Sequence, residues 1–425
     1  MSPADAECVF LQSKPLPKDD LSVTTTLGHS APGQLIVSRE NDLSIPEASV
    51  VIPARNASGL LRECLECLRE SQGCHYEVIV VDDGSTDDTA QVATEMGAQC
   101  IRLDESMGPA AARNCGAAKA RAEILLFIDV DVLVTPTTLS QLVSTLHDSD
   151  YDAVFGSYDL APPACNLASQ YKNLLHHHTH QHANLEASTF WSGCGAVGRK
   201  QFLDIGGYDE SYSRPSIEDI EFGVRMKLNG GQIRLAPNIQ VKHMKHWTFF
   251  TVVKTDIFAR AVPWTRLILK QGAIPDDLNL KMSQRICVAI SSVIILLTAL
   301  GCWMQPLLII VIAGIVATMS CTDHVSGTPG RNRPAVLTGV FALLILFIVA
   351  CILAPELSSI VALLGAIIFL LNLNLFRFFA GHSGLAFAFL SVLLHVFYYC
   401  YSGAAFGLGC MAHIGESLYL GKSEH

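Results

Sequence analysis

Charge is scarce in the last third of this 425-residue chain. From residue 286 onward there are only four Lys or Arg and four Asp or Glu residues, so the net charge of −10 belongs to residues 1–285. Nucleic-acid binding needs clustered Lys and Arg to neutralise phosphates. The acidic balance of the first part therefore argues against a nucleic-acid partner, while a nucleotide-sized ligand held through a metal ion stays compatible with it.

The sequence shows no cysteine spacing of a disulfide framework, and we do not expect a cleaved secretory signal. The fourteen cysteines are scattered without regular spacing, which favours buried free thiols in a reducing compartment. Cys64 and Cys67 have the spacing of a zinc pair, but no second pair answers them, and we expect Cys64 to pack in the core. Asp5 and Glu7 stand where a signal peptide needs positive charge, and no apolar segment follows. Residues 1–45 are predicted to be disordered.

Alternating strand and helix patterns begin at Ala48. Strands are predicted at Ala48–Ile52, Glu77–Val81 and Gln99–Leu103, with Pro53 ending the first strand and Ser58 capping the helix after it. A small-residue helix follows Gly108. Repeated β and α units of this length predict a parallel α/β sheet with a nucleotide-binding fold.

The run ILLFIDVDV at 124–132 is predicted to be the central strand of that sheet, buried on both faces. Ligands of such sheets gather at the carboxyl ends of the strands, where Asp129 and Asp131 would lie. Two close carboxylates favour a cation between them, and Mg²⁺ or Mn²⁺ with diphosphate oxygens suits this chemistry. An acidic turn without a ligand is the alternative for this motif taken alone.

Six stretches in order resemble the signature segments of family 2 glycosyltransferases with the GT-A fold. They are VVIPARNAS (50–58), VIVVDDGSTDDT (78–89), GPAAARNCGAAKA (108–120), FIDVDV (127–132), FWSGCGAVGRKQFLDIGGYDESY (190–212) and PSIEDIEFGVRMKLNG (215–230). The resemblance covers roughly residues 48–265. It implies a GT-A (nucleotide-diphospho-sugar transferase) domain, followed here by an all-α transmembrane bundle.

The resemblance also implies roles for single residues. Asp219, with Glu218 beside it, would be the catalytic pair, and Asp219 would take the proton of the acceptor hydroxyl. Asp131, Asp129 and His243 would bind a divalent cation, Mg²⁺ or Mn²⁺. The positions that match the nucleotide-sugar side are Pro53, Arg55, Asp82 or Asp83, Arg113 and Asp129. The positions that match the acceptor side are Gly193, Cys194, Gly195 and Trp264.

Several of these residues have ordinary structural alternatives. The carboxylates of the second loop could serve turns and helix caps, Arg113 could be a surface residue, and His243 a structural one. Ser216 and Asp219 also have the spacing of a helix capping box. The histidines between His176 and His182 have the i,i+4 spacing of a zinc pair but lack its acidic base, so an interfacial or acceptor-facing helix is preferred.

Beyond Arg285 the composition becomes that of a membrane region. Apolar tracts at Ile286–Ser320, Ala335–Leu371 and Leu385–Cys410 predict four or five spans, with an interfacial segment near Arg377. The predicted order is a disordered segment (1–45), the GT-A domain (46–270), a linker (271–285), the transmembrane region (286–412) and a polar tail (413–425). Basic residues before the first span and at Arg331 and Arg333 place the catalytic domain in the cytoplasm.

These patterns together predict a membrane-anchored inverting glycosyltransferase. It would move a sugar from a nucleotide-diphosphate sugar to a hydroxyl of a lipid or lipid-linked acceptor. One alternative is a processive polysaccharide synthase and exporter. It is disfavoured because Arg260 and Trp264 lie four apart instead of forming the Q-x-x-R-W motif of those enzymes. A membrane protein with a non-catalytic nucleotide-binding domain is the other alternative.

Overall fold

A computed structural model describes residues 45–148, 150–272, 277–304 and 354–423, with a few isolated residues between 305 and 353. The predicted disordered segment, the spans assigned between 305 and 353, and Arg331 and Arg333 lie outside the described residues.

Four parallel strands form the first half of an eight-stranded sheet. They are β1 (Ala48–Ala54), β2 (Tyr76–Asp82), β3 (Gln99–Arg102) and β4 (Ile124–Ile128), in the spatial order β3-β2-β1-β4. All five residues of β4 are buried, as expected for an apolar run between two layers of helices. The predicted α/β fold is therefore confirmed, and the carboxyl ends of β1, β2 and β4 meet at one edge.

The second half of the sheet differs from the parallel sheet predicted from the sequence. It holds β5 (Val132–Leu133), β6 (Ala153–Tyr158), β7 (Cys194–Gly198) and β8 (Ile233–His243), in the order β4-β7-β6-β8-β5. Strand β7 runs antiparallel to both β4 and β6. The sheet is thus mixed, and the run 124–132 is split between β4 and β5 by a turn that contains Asp129 and Asp131.

Among the described residues up to 304, ten helices accompany the sheet and the linker that follows it. They are α1 (Ser58–Arg69), α2 (Thr89–Glu95), α3 (Pro109–Lys119), α4 (Thr138–His147), α5 (Leu167–Gln181), α6 (Arg199–Asp204), α7 (Glu218–Leu228), α8 (Phe249–Lys254), α9 (Val262–Gln271) and α10 (Met282–Met304). A π-helical segment, Thr255–Ala261, joins α8 to α9, and a 3₁₀ turn, Leu278–Leu280, precedes α10.

Helix α3 packs very closely on the sheet because its sequence is rich in Ala and Gly. A Cβ atom at Gly116 would lie 2.4 Å from a methyl group of Val51 in β1, so a larger residue would push the helix away. The expectation that this small-residue helix packs closely on a sheet is confirmed. The close approach places Arg113, one turn earlier on α3, directly behind the end of β4.

Two local predictions were wrong. Pro53 does not end β1, which continues to Ala54 and pairs Pro53 with Val81, while the pairing with β4 stops at Val51. Ser58 does not cap α1. The start of α1 is bound instead by the next loop, since the backbone N–H groups of Ala57 and Ser58 donate to Thr89 and Asp87.

The C-terminal part is helical, with α11 (Pro355–Leu371), α12 (Leu373–Ser383) and α13 (Leu385–Ser423). Within the described residues two helical stretches are long and apolar enough to cross a membrane, Met282–Gly301 and Leu385–Glu416. Helices α11 and α12 form a bent pair with an angle of 74°, which could be a third span. Residues 413–423, predicted to be a polar tail, continue helix α13.

Candidate active site

A cavity of about 430 Å³ opens at the carboxyl ends of β1, β2 and β4. Ten of the residues singled out in the sequence line it. They are Pro53, Arg55, Asp83, Arg113, Asp129, Asp131, Glu218, Asp219, His243 and Trp264. Residues separated by as many as 211 positions in the sequence thus meet around one space.

Arg113 places a buried positive charge in the wall of the cavity. It is 3 % exposed, so it is not a surface residue. One guanidinium nitrogen donates to Asp129 Oδ1 at 2.6 Å and another to Glu218 Oε1 at 3.0 Å. A buried charge is tolerated only with such partners. Arg113 therefore joins the turn after β4 to the start of α7 and fixes both acidic motifs in one arrangement.

Asp131, two residues after Asp129, lies beside His243. Val132 pairs with His243 in the β5/β8 ladder, and His243 Nε2 is 3.5 Å from Asp131 Oδ2. Burial alone would raise the pKa of Asp131, but His243 and Lys245 hold that pKa below its usual value. A negative oxygen and an imidazole nitrogen at this separation suit one small divalent cation.

The described residues contain no group of three or more His, Cys, Asp or Glu side chains arranged around a single metal position. Mg²⁺ is commonly bound through one or two carboxylates, while phosphate oxygens and water complete the shell. Asp131 fits that pattern, and the imidazole of His243 beside it adds a nitrogen ligand, which Mn²⁺ accepts more readily than Mg²⁺. Asp129 fits the pattern less directly, because Arg113 already engages one of its oxygens.

Glu218 and Asp219 are the first two residues of helix α7 but have different surroundings. Glu218 is paired with Arg113, whereas Asp219 Oδ2 accepts only from the backbone N–H of Ser192 at 3.2 Å and from its hydroxyl at 3.4 Å. Desolvation, and then the charge of Glu218, raise the pKa of Asp219 to about 7. No capping box forms, since the Ser216 hydroxyl donates to the carbonyl of Ala259. A carboxyl group with such a pKa can accept a proton near neutral pH.

The two aspartates that end β2 take separate positions. Asp83 lines the cavity and accepts from the backbone of Met107 at 2.7 Å and of Gly108 at 3.0 Å. Asp82 is fully buried and accepts from the N–H of Ser85 at 3.0 Å, which is the turn-making role foreseen as its alternative. Of the pair, Asp83 is the one available to a ligand in the cavity.

The structure does not bring Gly193, Cys194 and Gly195 to the cavity wall. They lie behind it, where the carbonyl of Gly193 accepts from the N–H of Asp129 and where Cys194 and Gly195 pair with β4. A Cβ atom on either glycine would lie within 2.6 Å of the ring of Trp191 or Phe190. These residues therefore support the aspartate turn and the aromatic wall from behind.

Sequence patterns assigned no role to four residues that line the cavity: Tyr158, Trp191, Arg214 and Lys245. His176 and His180, which were expected on an interfacial or acceptor-facing helix, form an aromatic wall with Tyr158 and Trp191, and Arg214, Lys245 and Arg260 add positive charge. Arg260 lies on the π-helical segment and Trp264 one turn later, so the two share a face. Their spacing of four residues, which departs from the Q-x-x-R-W motif, is also the spacing of residues that share a helical face, and this is the sequence signal for their common position.

A second cavity, of about 240 Å³, lies between α5 and the C-terminal helices. Most of its described lining is polar, including His178, His182, Lys281 and Asn374, and none of these described lining residues is a carboxylate. Leu278 belongs to the walls of both cavities. The second cavity thus adjoins the first and begins where α10, a candidate span, starts.

Two protein-family models match parts of this sequence. Residues 49–206 match the model described as glycosyl transferase family 2, and residues 172–247 match one described as the N-terminal domain of galactosyltransferase. Residues 49–206, which hold the first half of the sheet and the turn after β4, therefore belong to the family 2 glycosyltransferases. The first match contains both aspartates of the turn after β4, and the second contains Asp219 and His243.

Curated relatives of this glycosyltransferase come from several kingdoms. It is 31 % identical to glycosyltransferase GlyG of Streptococcus pneumoniae over 26 % of this chain and 38 % of that protein. It is 31 % identical to glycosyltransferase AglE of Haloferax volcanii, over 30 % and 44 % of the two chains. For polypeptide N-acetylgalactosaminyltransferase 8 of Drosophila melanogaster the identity is 29 %, over 47 % and 38 %. Each match spans less than half of the relative's length.

Proposed function

We propose that this family 2 glycosyltransferase transfers a sugar, with inversion, from a nucleotide-diphosphate sugar to a hydroxyl group of a membrane-borne acceptor. The observation that carries the proposal is the meeting of a cation-binding pair, Asp131 and His243, and a proton acceptor, Asp219, in one cavity of about 430 Å³. A cavity of this size suits a nucleotide-sized ligand.

The donor would lie along the edge formed by β1, β2 and β4. Pro53 and Arg55 border its nucleotide end, where Asp83 can accept hydrogen bonds from the base or the ribose. Asp131 and His243 would hold Mg²⁺ or Mn²⁺, which stabilises the negative charge that develops on the departing diphosphate. Lys245 and Arg260 add positive charge to the same cavity.

Asp219 supplies the acceptor chemistry. Its carboxylate takes the proton of the acceptor hydroxyl while that oxygen forms a bond to the anomeric carbon of the sugar. The bond from the anomeric carbon to the diphosphate oxygen breaks, and the nucleoside diphosphate leaves with the electron pair. Attack from the face opposite the leaving group inverts the anomeric configuration. A hydroxyl nucleophile needs such a base, whereas an ionised phosphate does not.

Three features support a membrane-borne acceptor and a cytoplasmic catalytic domain. Helices α10 and α13 are long and apolar enough to span a bilayer. The second cavity opens a polar space between these helices and α5, next to the active-site cavity. Lys270 and Lys281 precede the first candidate span, and positive charge near span ends favours the cytoplasmic side.

The test uses the full-length protein purified in detergent and a panel of nucleotide sugars, with nucleoside diphosphate release measured with and without Mn²⁺. We expect hydrolysis of one or a few donors only when the cation is present. Asp219→Asn should still bind that donor but lose transfer to the acceptor, so that kcat falls more than KM changes. Undiminished turnover in EDTA would refute the cation assignment, and full transfer by Asp219→Asn would refute the base.

A further inference from the structure

We propose that Tyr158 is a positioning residue, which holds His243 in the orientation that lets His243 and Asp131 bind one divalent cation. The inference rests on the proposed function, because it takes the cation site from there. It also gives a role to the histidines of α5, which the transfer reaction does not use.

Sheet geometry places Tyr158 and His243 on one face. Tyr158 ends β6, and its partner on the parallel strand β8 is Val241. Alternate residues of a strand point to the same side, so His243 follows Tyr158 on that face. The register shifts between Phe155 and Ser157, and a Cβ atom on the intervening Gly156 would lie 2.5 Å from the carbonyl oxygen of Ile239. Such irregularities redirect side chains beside functional sites.

The Tyr158 ring is enclosed by aromatic rings on three sides. His243 stacks on one face, with ring centroids 4.5 Å apart and an angle of 9° between the planes. His176 stacks on the other face at 4.1 Å and 27°. Trp191 meets the ring edge-on, at 4.9 Å and 84°. These are favourable aromatic geometries, and the phenol ring cannot rotate without disturbing both imidazoles.

Helix α5 anchors this stack from behind. The rings of His176 and His180 are 4.0 Å apart because the two residues are separated by one helical turn. His177 Nδ1 lies 2.7 Å from the carbonyl oxygen of Tyr158, and His180 Nδ1 lies 3.2 Å from that of Gly156. The histidines therefore hold both the ring and the backbone of the end of β6. The i,i+4 spacing that suggests a zinc pair here serves stacking.

His243 needs this support because it ends its strand. Its ladder pairing with Val132 fixes the backbone, whereas the imidazole plane is set by side-chain torsions. Stacking on Tyr158 fixes that plane with Nε2 3.5 Å from Asp131 Oδ2. Groups outside the ligand set commonly orient metal-binding histidines, and their loss typically weakens metal binding about 10- to 100-fold.

The test measures Mn²⁺ affinity directly, by electron paramagnetic resonance of free Mn²⁺ with full-length protein and saturating nucleoside diphosphate. Tyr158→Leu should raise the Kd for Mn²⁺ about 10- to 100-fold. Tyr158→Phe keeps the ring and should retain near wild-type affinity. In the same way, His176→Ala should weaken Mn²⁺ binding while His176→Phe preserves it.

The matched control is Phe202→Leu, which removes another buried ring, one that lies in the core beside Phe127 and away from the cavity lining. It should leave the Kd for Mn²⁺ unchanged. Wild-type affinity in Tyr158→Leu would overturn the positioning role alone, as would equal losses in Tyr158→Phe and Tyr158→Leu. If the wild-type protein binds no Mn²⁺ beside the nucleoside diphosphate, the cation assignment fails, and the positioning role fails with it.

Discussion

The pH dependence of transfer follows from the surroundings of Asp219. Its pKa of about 7 leaves about one tenth of the carboxyl groups ionised at pH 6 and about nine tenths at pH 8, so kcat should rise about tenfold between them. The base must be ionised to take the proton, which places the loss of activity on the acid side.

Glu218→Gln tests the cause of that pKa. The substitution removes the negative charge that stands second to desolvation in raising it. It also leaves Arg113 with Asp129 as its one remaining ionic partner, which makes the surroundings more positive. Both changes lower the pKa of Asp219. The acid limb, which is the pH range over which kcat falls as the carboxylate is protonated, should therefore move down by about one pH unit. The pH at which kcat is half of its maximum does not depend on the maximum itself. A lower kcat at high pH therefore does not obscure the shift.

The assay is transfer under saturating donor from pH 5.5 to 8.5, with Glu186→Gln as a matched surface control. Glu186 pairs with Lys227 away from the cavity lining, so the control should keep the wild-type limb. A Glu218→Gln limb that stays at about 7 or moves upward would refute the electrostatic account of Asp219.

Four further outcomes follow. Asp131→Ala should cost roughly two orders of magnitude or more in donor turnover, measured as nucleoside diphosphate release with saturating Mn²⁺. Arg113→Met leaves the buried Glu218 and the partly exposed Asp129 without their ionic partner and should lower the free energy of unfolding by about 3–5 kcal/mol, whereas Arg121→Met, at a pair whose guanidinium is half exposed, should cost about 1 kcal/mol or less in the same denaturation assay. Asp219→Asn should raise Tm at pH 8 and raise it less at pH 5, because the native carboxyl keeps its proton to about pH 7 while the unfolded one releases it near 3.8. Cys165, exposed on the catalytic domain, should resist an impermeant maleimide added outside intact cells and react in inverted vesicles, with Cys165→Ser as the blank.

Local signals were sufficient for the first half of the fold. Strand β4 and the aspartates after it could be predicted because a continuous apolar run followed by acids is a property of adjacent residues. The same holds for Cys64, which is fully buried in the core as its helical face indicates. The direction of β7 could not be read in this way. Antiparallel pairing with β4 is set by a connection of some 65 residues, and its short sequence CGAVG carries no direction of its own.

The same contrast between local signals and long-range contacts applies to the residues of the site. Asp131 and Asp219 stand in motifs, but the ion pair of Arg113 with Glu218 spans 105 positions and depends on how α3 and α7 pack. An isolated Arg on a small-residue helix gives no sign of that partner. The stack of Tyr158 between His243 and His176 likewise joins two strands and a helix. The sequence shows the histidines of α5 as a cluster, but it does not show that their rings stack on Tyr158.

The contrast between Glu218 and Asp219 shows how the fold divides two neighbouring acids between different tasks. Both stand in the first turn of α7, where the helix dipole favours an anion. Arg113 reaches Glu218 and Asp129, so its charge is shared by those two carboxylates, and Asp219 accepts hydrogen bonds from Ser192 and from the backbone N–H of Ile220 instead of pairing with a cation. Desolvation then outweighs the attraction of the more distant guanidinium, and the pKa of Asp219 rises. Environments that separate the pKa values of paired acids are typical of acid–base sites. Because the guanidinium of Arg113 is already paired with Asp129 and Glu218, Asp219 stays basic enough to take a proton.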